Sequence, residues 1–398
     1  MLINGRQSRT ARRALRGGLF LGALVTSLVA GAAEGPYRPD NDAVVLERLP
    51  TASNLDKLAP LRARVRAQPE QLRPALALAQ AYIELSRAQA DPRYLGYAQA
   101  ALAPWPDGPA GVKVLRATIA QSRHEFDRAL ALLDDVLADN PGNAQARLTR
   151  ATIRQVRGNL DAADADCRRL IGRAPALVFS ICHASARSLG GELAASYQQL
   201  RSALKQAGAA SVTLRVWGLT VLGEMARRLG RNDEAAAHFE SALALDDTDI
   251  YLQAAHADLL LDQDDAAAVI KLLNNRERQD VLLLRLALAG GDTPKGRRWA
   301  AMLDDRFAAA QRRGDTTHAR EHARFVLDVQ HDPARALELA RANWDIQKEP
   351  ADIRILLRSA QAAGQPAQAQ PALDWMADHD FEDRRIAALA KRLRSELP

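Results

Sequence analysis

The sequence predicts an all-α protein built as a solenoid of about nine stacked helical hairpins. Of its 398 residues, 47% are hydrophobic but only 5% are aromatic, a composition that suits helices packed through small side chains. Apolar residues recur at helical spacing, and residues that favour turns stand where hairpins must reverse. In addition, part of the chain repeats itself every 34 residues, which is typical of stacked helical hairpins.

The clearest hairpin covers residues 216–249. Val216 and Leu222 lie on one face of a first helix, and Phe239 lies on the apolar face of a second. Gly230 stands between them, where its tolerance of the left-handed conformation ends the first helix. Such a hairpin is too small to bury its apolar faces alone, so it predicts neighbouring hairpins on both sides.

The 34-residue period is clearest in two consecutive units, 110–143 and 144–177. The pairs that recur at this offset are Arg116-Ala117-Thr118-Ile119 with Arg150-Ala151-Thr152-Ile153, Pro141 with Pro175, and Ala129 with Ala163. A fixed period of this length predicts one structural unit repeated along the chain.

These units resemble the tetratricopeptide repeat family. The positions that match its template in the hairpin 216–249 are Leu222-Gly223, Gly230, Ala235, Phe239 and Ala242-Leu243. The sequence departs from the template at Asp247, where a proline is usual, and at Arg116 and Arg150, where a leucine is usual. The resemblance covers roughly residues 70–378 and implies a right-handed superhelix with a concave groove.

The first 32 residues are typical of a cleaved export signal. Five arginines and no acidic residue precede a short apolar stretch, Leu19 to Ala30. This stretch is shorter than a membrane-spanning helix requires, and Ala30-Gly31-Ala32 predicts cleavage after Ala32. No later stretch is apolar enough to span a bilayer, so we expect no membrane span after cleavage.

The remaining chain divides by composition and period. The predicted parts are an extended N-terminal arm (33–54), a capping helix (55–69), the repeats (70–378, clearest at 110–143, 144–177 and 216–249) and a C-terminal capping helix (379–398). The last helix is expected to turn Arg384, Arg385, Lys391 and Arg392 toward solvent, as the end of an open solenoid requires.

The net charge gives no sign of a nucleic-acid partner. The whole chain carries +6, and removing a signal with five arginines leaves +1 (6 − 5). The basic character is therefore mostly that of the signal rather than of a binding surface.

The two cysteines, Cys167 and Cys182, lie on adjoining helices of successive repeats. An exported chain meets an oxidising compartment, so we hypothesise a disulfide between them. The alternative is that both are buried free thiols acting as small apolar residues.

In the tetratricopeptide repeat family, certain positions of each first helix line the concave surface. Carried over to this sequence, they place eleven residues in a groove for a protein partner: Gln145, Leu148, Thr152, Gln155, Trp217, Thr220, Glu224, Arg227, Tyr251, Asp258 and Leu261. Trp217 and Tyr251 are the aromatic anchors of this surface, although Trp217 could instead pack between repeats. The basic positions that grip a C-terminal carboxylate in some members of the family are absent.

One pattern resembles a catalytic site. His318 and His322 lie one helical turn apart with Glu321 between them, an H-x-x-E-H spacing used by a class of zinc peptidases. No third metal ligand is marked by its context, and the pattern fits equally well on the surface of a repeat helix. We therefore predict no enzyme activity, no metal and no cofactor.

Together these features predict an exported, periplasmic interaction scaffold without enzyme activity. By resemblance, it would bind a partner protein or a membrane-associated complex of the bacterial envelope through its concave face. The alternatives are a zinc-dependent peptidase that uses His318 and His322, and a scaffold for polysaccharide export whose aromatic residues bind sugars. The identity of the partner and the oligomeric state are left open.

Overall fold

A computed structural model describes residues 41, 43, 53–315 and 317–397. The predicted signal (1–32) and nearly all of the predicted arm (33–54) lie outside the described residues. Within them the chain forms helices and turns and no β-strand, so the predicted all-α class is confirmed. None of the described helices combines the length and the apolarity that crossing a bilayer requires.

Twenty α-helices follow one another in the described part of the chain. They are α1 (Ser53–Ala67), α2 (Leu72–Gln89), α3 (Arg93–Ala101), α4 (Ala110–Ser122), α5 (Phe126–Asp139), α6 (Ala144–Val156), α7 (Leu160–Arg168), α8 (Ala176–Leu189), α9 (Leu193–Gln206), α10 (Val212–Arg228), α11 (Asn232–Leu243), α12 (Ile250–Asp262), α13 (Ala266–Leu272), α14 (Asp280–Gly290), α15 (Pro294–Arg312), α16 (Ala319–Asp328), α17 (Pro333–Trp344), α18 (Pro350–Ala362), α19 (Gln370–Asp378) and α20 (Ala387–Ser395). A 3-10 turn, Pro366–Ala369, precedes α19.

Helices α2 to α19 form nine consecutive antiparallel hairpins within the described residues, flanked by α1 and α20. The first helix of each hairpin (α2, α4 and so on to α18) also packs against the first helix of the next hairpin. These inner helices therefore form one continuous layer, and the second helices lie outside it. The predicted architecture of stacked hairpins is confirmed.

The hairpin 216–249 shows how the sequence produces this packing. Phe239 of α11 is fully buried, and its ring lies 2.4 Å from the point where a Cβ on Gly223 would stand. Only glycine leaves room for the ring at this crossing of α10 and α11. Gly230 has a φ of +73° and makes the turn between the two helices.

The C-terminal end of the array closes onto earlier hairpins, which corrects the expectation of an open end there. The backbone N–H of Lys348 donates to the carbonyl of Val156 at 2.7 Å, and that of Arg384 donates to the carbonyl of Arg228 at 2.9 Å. Leu160, in an early hairpin, is buried in the hydrophobic core of the C-terminal helices. The last hairpins thus lie against the turns of earlier ones, whereas repeats of a simple solenoid touch only their neighbours.

The C-terminus also differs from the predicted capping helix. Helix α20 begins only at Ala387, and residues 379–386 form a non-helical closing segment that runs along the earlier turns. Arg385 was expected to face solvent, but it is largely buried and forms an ion pair with Asp383. The charge of Arg385 is buried because the closing segment lies against earlier turns. In an open array the same face would be in contact with water.

Three turn glycines allow this closure. An added Cβ would stand 2.6 Å from Trp375 Nε1 at Gly158, 2.9 Å from Asp380 Cβ at Gly191, and 3.1 Å from Arg384 Cδ at Gly230. All three glycines also have positive φ, so both the backbone conformation and the close approach favour glycine.

We expect Gly158→Ala to lower the free energy of unfolding by about 2–4 kcal/mol, because it combines backbone strain with overpacking against Trp375. Gly364→Ala is the matched control, since Gly364 also has a positive φ of +63° but no atom within 4 Å of an added Cβ. It should cost only about 1 kcal/mol. Urea unfolding followed by circular dichroism measures both values, and equal losses would contradict the closure through Gly158.

Candidate functional site

The inner helices from α6 to α18 surround a central cavity of about 560 Å³. Its lining runs from residues in their first turns, such as Thr213, Tyr251 and Ala351, to residues near their C-terminal ends, such as Arg227 and Asp258. Because successive inner helices are packed side by side, each contributes side chains to the same space. The cavity occupies the place of the predicted concave groove.

The structure brings nine of the eleven predicted groove residues to this cavity. They are Leu148, Thr152, Gln155, Trp217, Thr220, Glu224, Arg227, Tyr251 and Asp258. Gln145 is exposed and does not line it, and Leu261 packs into the hydrophobic core beside α12. Trp217 does both things expected of it, since it packs against two hydrophobic clusters and also lines the cavity.

Ion pairs form one side of the central cavity. We call them the arginine network: Arg227, Arg285, Arg320, Arg324, Arg354, Arg358 and Arg385, paired with Asp258, Asp262, Asp328, Glu349 and Asp383. Asp258 forms ion pairs with Arg285 at 2.7 Å and with Arg324 at 2.6 Å, and Asp262 forms one with Arg354 at 2.7 Å. The pairs of Asp258 and Asp262 connect α12 with α16 and α18, which are not neighbours in the array. The network therefore draws opposite parts of the inner layer together and narrows the interior.

The arginines of the network hold Asp258 and the neighbouring Glu321 ionised. Burial alone would raise the pKa of Asp258, but Arg285, Arg324 and Arg227 outweigh it and hold that pKa well below its usual range. Burial likewise opposes ionisation of Glu321, yet Arg320 and Arg285 lower its pKa to about 2. Buried carboxylates kept charged in this way depend on their arginine partners.

Arg228 differs from the other arginines that line the cavity. Its side chain is buried, and its guanidinium donates to the carbonyls of Ser188 and Glu382 and stacks 4.8 Å from the ring centre of Phe381. No carboxylate among the described residues lies within ion-pair distance of it, and burial lowers its pKa to about 10. Arg228 therefore holds the closing segment (379–386) by hydrogen bonds to neutral acceptors.

Tyr251 and Glu224 form the polar pair that opens into the cavity. The Tyr251 hydroxyl donates to Glu224 Oε1 at 2.5 Å. Tyr251 is 56% exposed and belongs to the lining of the central cavity. Because protein surrounds this space, burial raises the pKa values of both Tyr251 and Glu224.

The two cysteines are joined as a disulfide in the structure, with their Cα atoms 5.6 Å apart. Cys167 lies on α7 and Cys182 on α8, so the bond links two successive hairpins. Cys182 also belongs to the lining of the central cavity. The disulfide thus fixes the spacing of two hairpins at the edge of the site.

The H-x-x-E-H pattern does not form a joint site. Glu321 faces the central cavity and pairs with Arg320, whereas His318 and His322 line a separate cavity of about 300 Å³ near α15 and α17. His322 stacks on Phe307 with ring centres 4.5 Å apart. No group of three or more potential ligands in the described chain is placed to hold a metal ion. The geometry gives the peptidase alternative no support.

Sequence reasoning missed the contributions of α14, α16 and α18 to the cavity. Arg285, Arg324, Arg354 and Arg358 lie on inner helices where the 34-residue signal fades. Arg385 was missed because its place depends on closure of the array. The sequence pattern that could have indicated these residues is a pair of arginines four residues apart in α16 and again in α18. The same pattern is equally typical of a helix face exposed to solvent.

We expect Asp258→Asn to destabilise the protein by about 3 kcal/mol at pH 7, because Arg285 and Arg324 lose a buried anion. The depressed pKa makes this contribution fully present above the unfolded value of about 3.9, and it is lost as the pH falls toward the folded value. The loss relative to wild type should therefore shrink below about pH 4 in urea unfolding. Asp135→Asn breaks the more exposed pair with Lys113 and should cost at most about 1 kcal/mol. If the loss of unfolding free energy caused by Asp258→Asn did not change with pH, this assignment would be contradicted.

Comparison with known proteins assigns no family to this chain. No protein-family model and no curated protein matches the sequence. Similar solved structures include the APC/C hetero-tetramer Cut9-Hcn1 (10% identity, 83% of this chain and 64% of that chain, TM-score 0.49) and yeast Tom70 (12% identity, 86% of each chain, TM-score 0.40). The TPR domain of P58(IPK) is 15% identical over 86% of this chain and 99% of its own, with a TM-score of 0.21. Such likenesses add nothing to the helical-repeat architecture that the packing of this chain itself establishes.

Proposed function

We propose that this protein is a non-enzymatic interaction scaffold that binds an extended segment of a partner protein in its central cavity. The observation that carries the proposal is a cavity of about 560 Å³ lined by successive inner helices, with Tyr251 largely exposed inside it. This volume lies within the range of roughly 300–1,000 Å³ that is usual for ligand sites.

The closed interior favours a segment over a folded partner. Ion pairs from Asp258 and Asp262 reach non-neighbouring helices, so the inner surface is narrower than an open groove. Trp217 and Tyr251 supply the aromatic surface that anchors side chains in many protein interfaces. An extended chain can reach these residues, whereas a folded domain would have to separate the hairpins.

We also propose that the scaffold acts in the bacterial cell envelope after export. The support is the basic, acid-free N-terminal segment with its short apolar stretch, together with a disulfide that an oxidising compartment would maintain.

A photo-crosslinking amino acid in place of Thr220 should capture one discrete partner protein in intact cells, because Thr220 lines the central cavity. The same amino acid in place of Glu240, exposed on the second helix of that hairpin, should not capture it. Adding Tyr251→Ala to the Thr220 variant should reduce the yield roughly tenfold or more, as loss of an aromatic anchor does. Equal capture from both positions would place the partner outside the cavity.

The chain isolated from the cell envelope should begin at Ala33 and contain no thiol that reacts with an alkylating agent before reduction. N-terminal sequencing and mass measurement with and without reductant test both points. Reduction should then lower the free energy of unfolding by about 3 kcal/mol. An intact N-terminus with two free thiols would contradict export to an oxidising compartment.

A further inference from the structure

We propose that Glu224, Tyr251 and Trp217 form a receptor for one positively charged side chain, a lysine or an arginine carried by the partner segment. This inference rests on the proposed function, since the segment must enter the central cavity. It names the chemistry by which the cavity selects its ligand.

The arginines of the cavity are already occupied. Every member of the arginine network is paired with a carboxylate, and Arg228 donates to backbone carbonyls. An anionic ligand would have to break these buried pairs, which costs more than a new pair of the same kind returns. The excess of arginine in the lining therefore does not make the cavity a site for anions.

Glu224 is a carboxylate of the lining that forms no ion pair with the described residues. Its Oε1 accepts the Tyr251 hydroxyl, and its Oε2 has no hydrogen-bond partner in this part of the chain. Among the other acidic residues of the lining, Asp258, Glu321 and Glu349 pair with arginines. Asp246 and Asp249 form no ion pair among the described residues either, but they accept neutral hydrogen bonds in the turn before α12, from Thr248 and from the backbone N–H of Leu252. Glu224 differs from these two in lying on an inner helix beside Tyr251, with Oε2 open to a cation.

One aromatic side chain contacts this carboxylate, and a second lines the same cavity. Tyr251 is held by its hydrogen bond to Glu224, and Trp217 lies two helical turns before Glu224 on the same side of α10. A carboxylate together with aromatic rings is a common surrounding of a bound ammonium or guanidinium group. The apolar Val221 and Ala254 of the same lining can contact the aliphatic stem of such a side chain.

The protonation of Glu224 agrees with a missing cation. Burial raises its pKa, and the charge of Glu349 raises it further. The hydroxyl of Tyr251 and the more distant charges of Arg227 and Arg228 act in the opposite direction without cancelling this effect. A cation placed at Oε2 would supply the missing stabilisation of the charged form.

The test is a selection of short random peptides against the full chain, followed by affinity measurements on the best peptide. Selected peptides should share a lysine or arginine at one position. Fluorescence anisotropy should show roughly 30-fold or greater weakening with Glu224→Gln, which removes the charge and keeps an acceptor for Tyr251. Replacing the peptide's basic residue with norleucine should weaken binding similarly, and combining both changes should add little further loss.

Control variants separate the possible failures. Glu240→Gln, on an exposed outer position, should leave the affinity unchanged, and circular dichroism should show equal melting of all variants. Peptides that need Trp217 and Tyr251 but carry no basic residue would overturn the cation receptor while leaving the proposed function standing. Peptide binding that Trp217→Ala and Tyr251→Ala do not affect, or no binding, would overturn both. Binding of neutral oligosaccharides in place of peptides would overturn the assignment of the ligand to a partner's side chain.

Discussion

Burial of arginine charge between the inner helices and the closing segment is the constraint on which this structure depends. Arg228 brings a cation into the interior and satisfies it with the carbonyls of Ser188 and Glu382, which lie in distant parts of the sequence. The backbone of Arg228 in turn accepts a hydrogen bond from Arg384. Since a buried cation without acceptors is far less stable than one with them, the closing segment must stay in place for α10 to keep its position.

The arginine network extends the same principle along the cavity. Asp258 and Asp262 each receive arginines from more than one helix, so that α10, α12, α14, α16 and α18 share their charges. Shared pairs of this kind fix the relative position of helices more strictly than apolar contacts, which tolerate sliding. Against this rigid side, the unpaired Glu224 and the accessible ring of Tyr251 form the part of the lining that is free to meet a ligand.

The hairpins could be predicted because they depend on local patterns. In the hairpin 216–249, the turn depends on Gly230, and the crossing of its two helices depends on Gly223 and Phe239. The helices there follow the predicted order. The closure could not be predicted, because Gly158 gives no sign in sequence that Trp375 lies beside it, 217 residues (375 − 158) further along the chain. The residues of α6, α10 and α12 reached the cavity as the repeat template implied, while the arginines of α14, α16 and α18 became recognisable only through their partners. Arg150 occupies a position where the repeat template has a leucine, and its guanidinium forms an ion pair with Asp166 at 2.7 Å.

Closure also changes how the array can come apart. An open array behaves as a row of units coupled only to their neighbours, so its ends fray independently and folding can spread from any unit. Here Arg228 contacts Glu382 across 154 positions, and the last hairpins are bound to the middle of the array. The last hairpins therefore cannot open one at a time without breaking contacts made by central ones. Loss of structure becomes a collective event, and assembly must wait for a long loop to close, which slows folding relative to an open array of equal length.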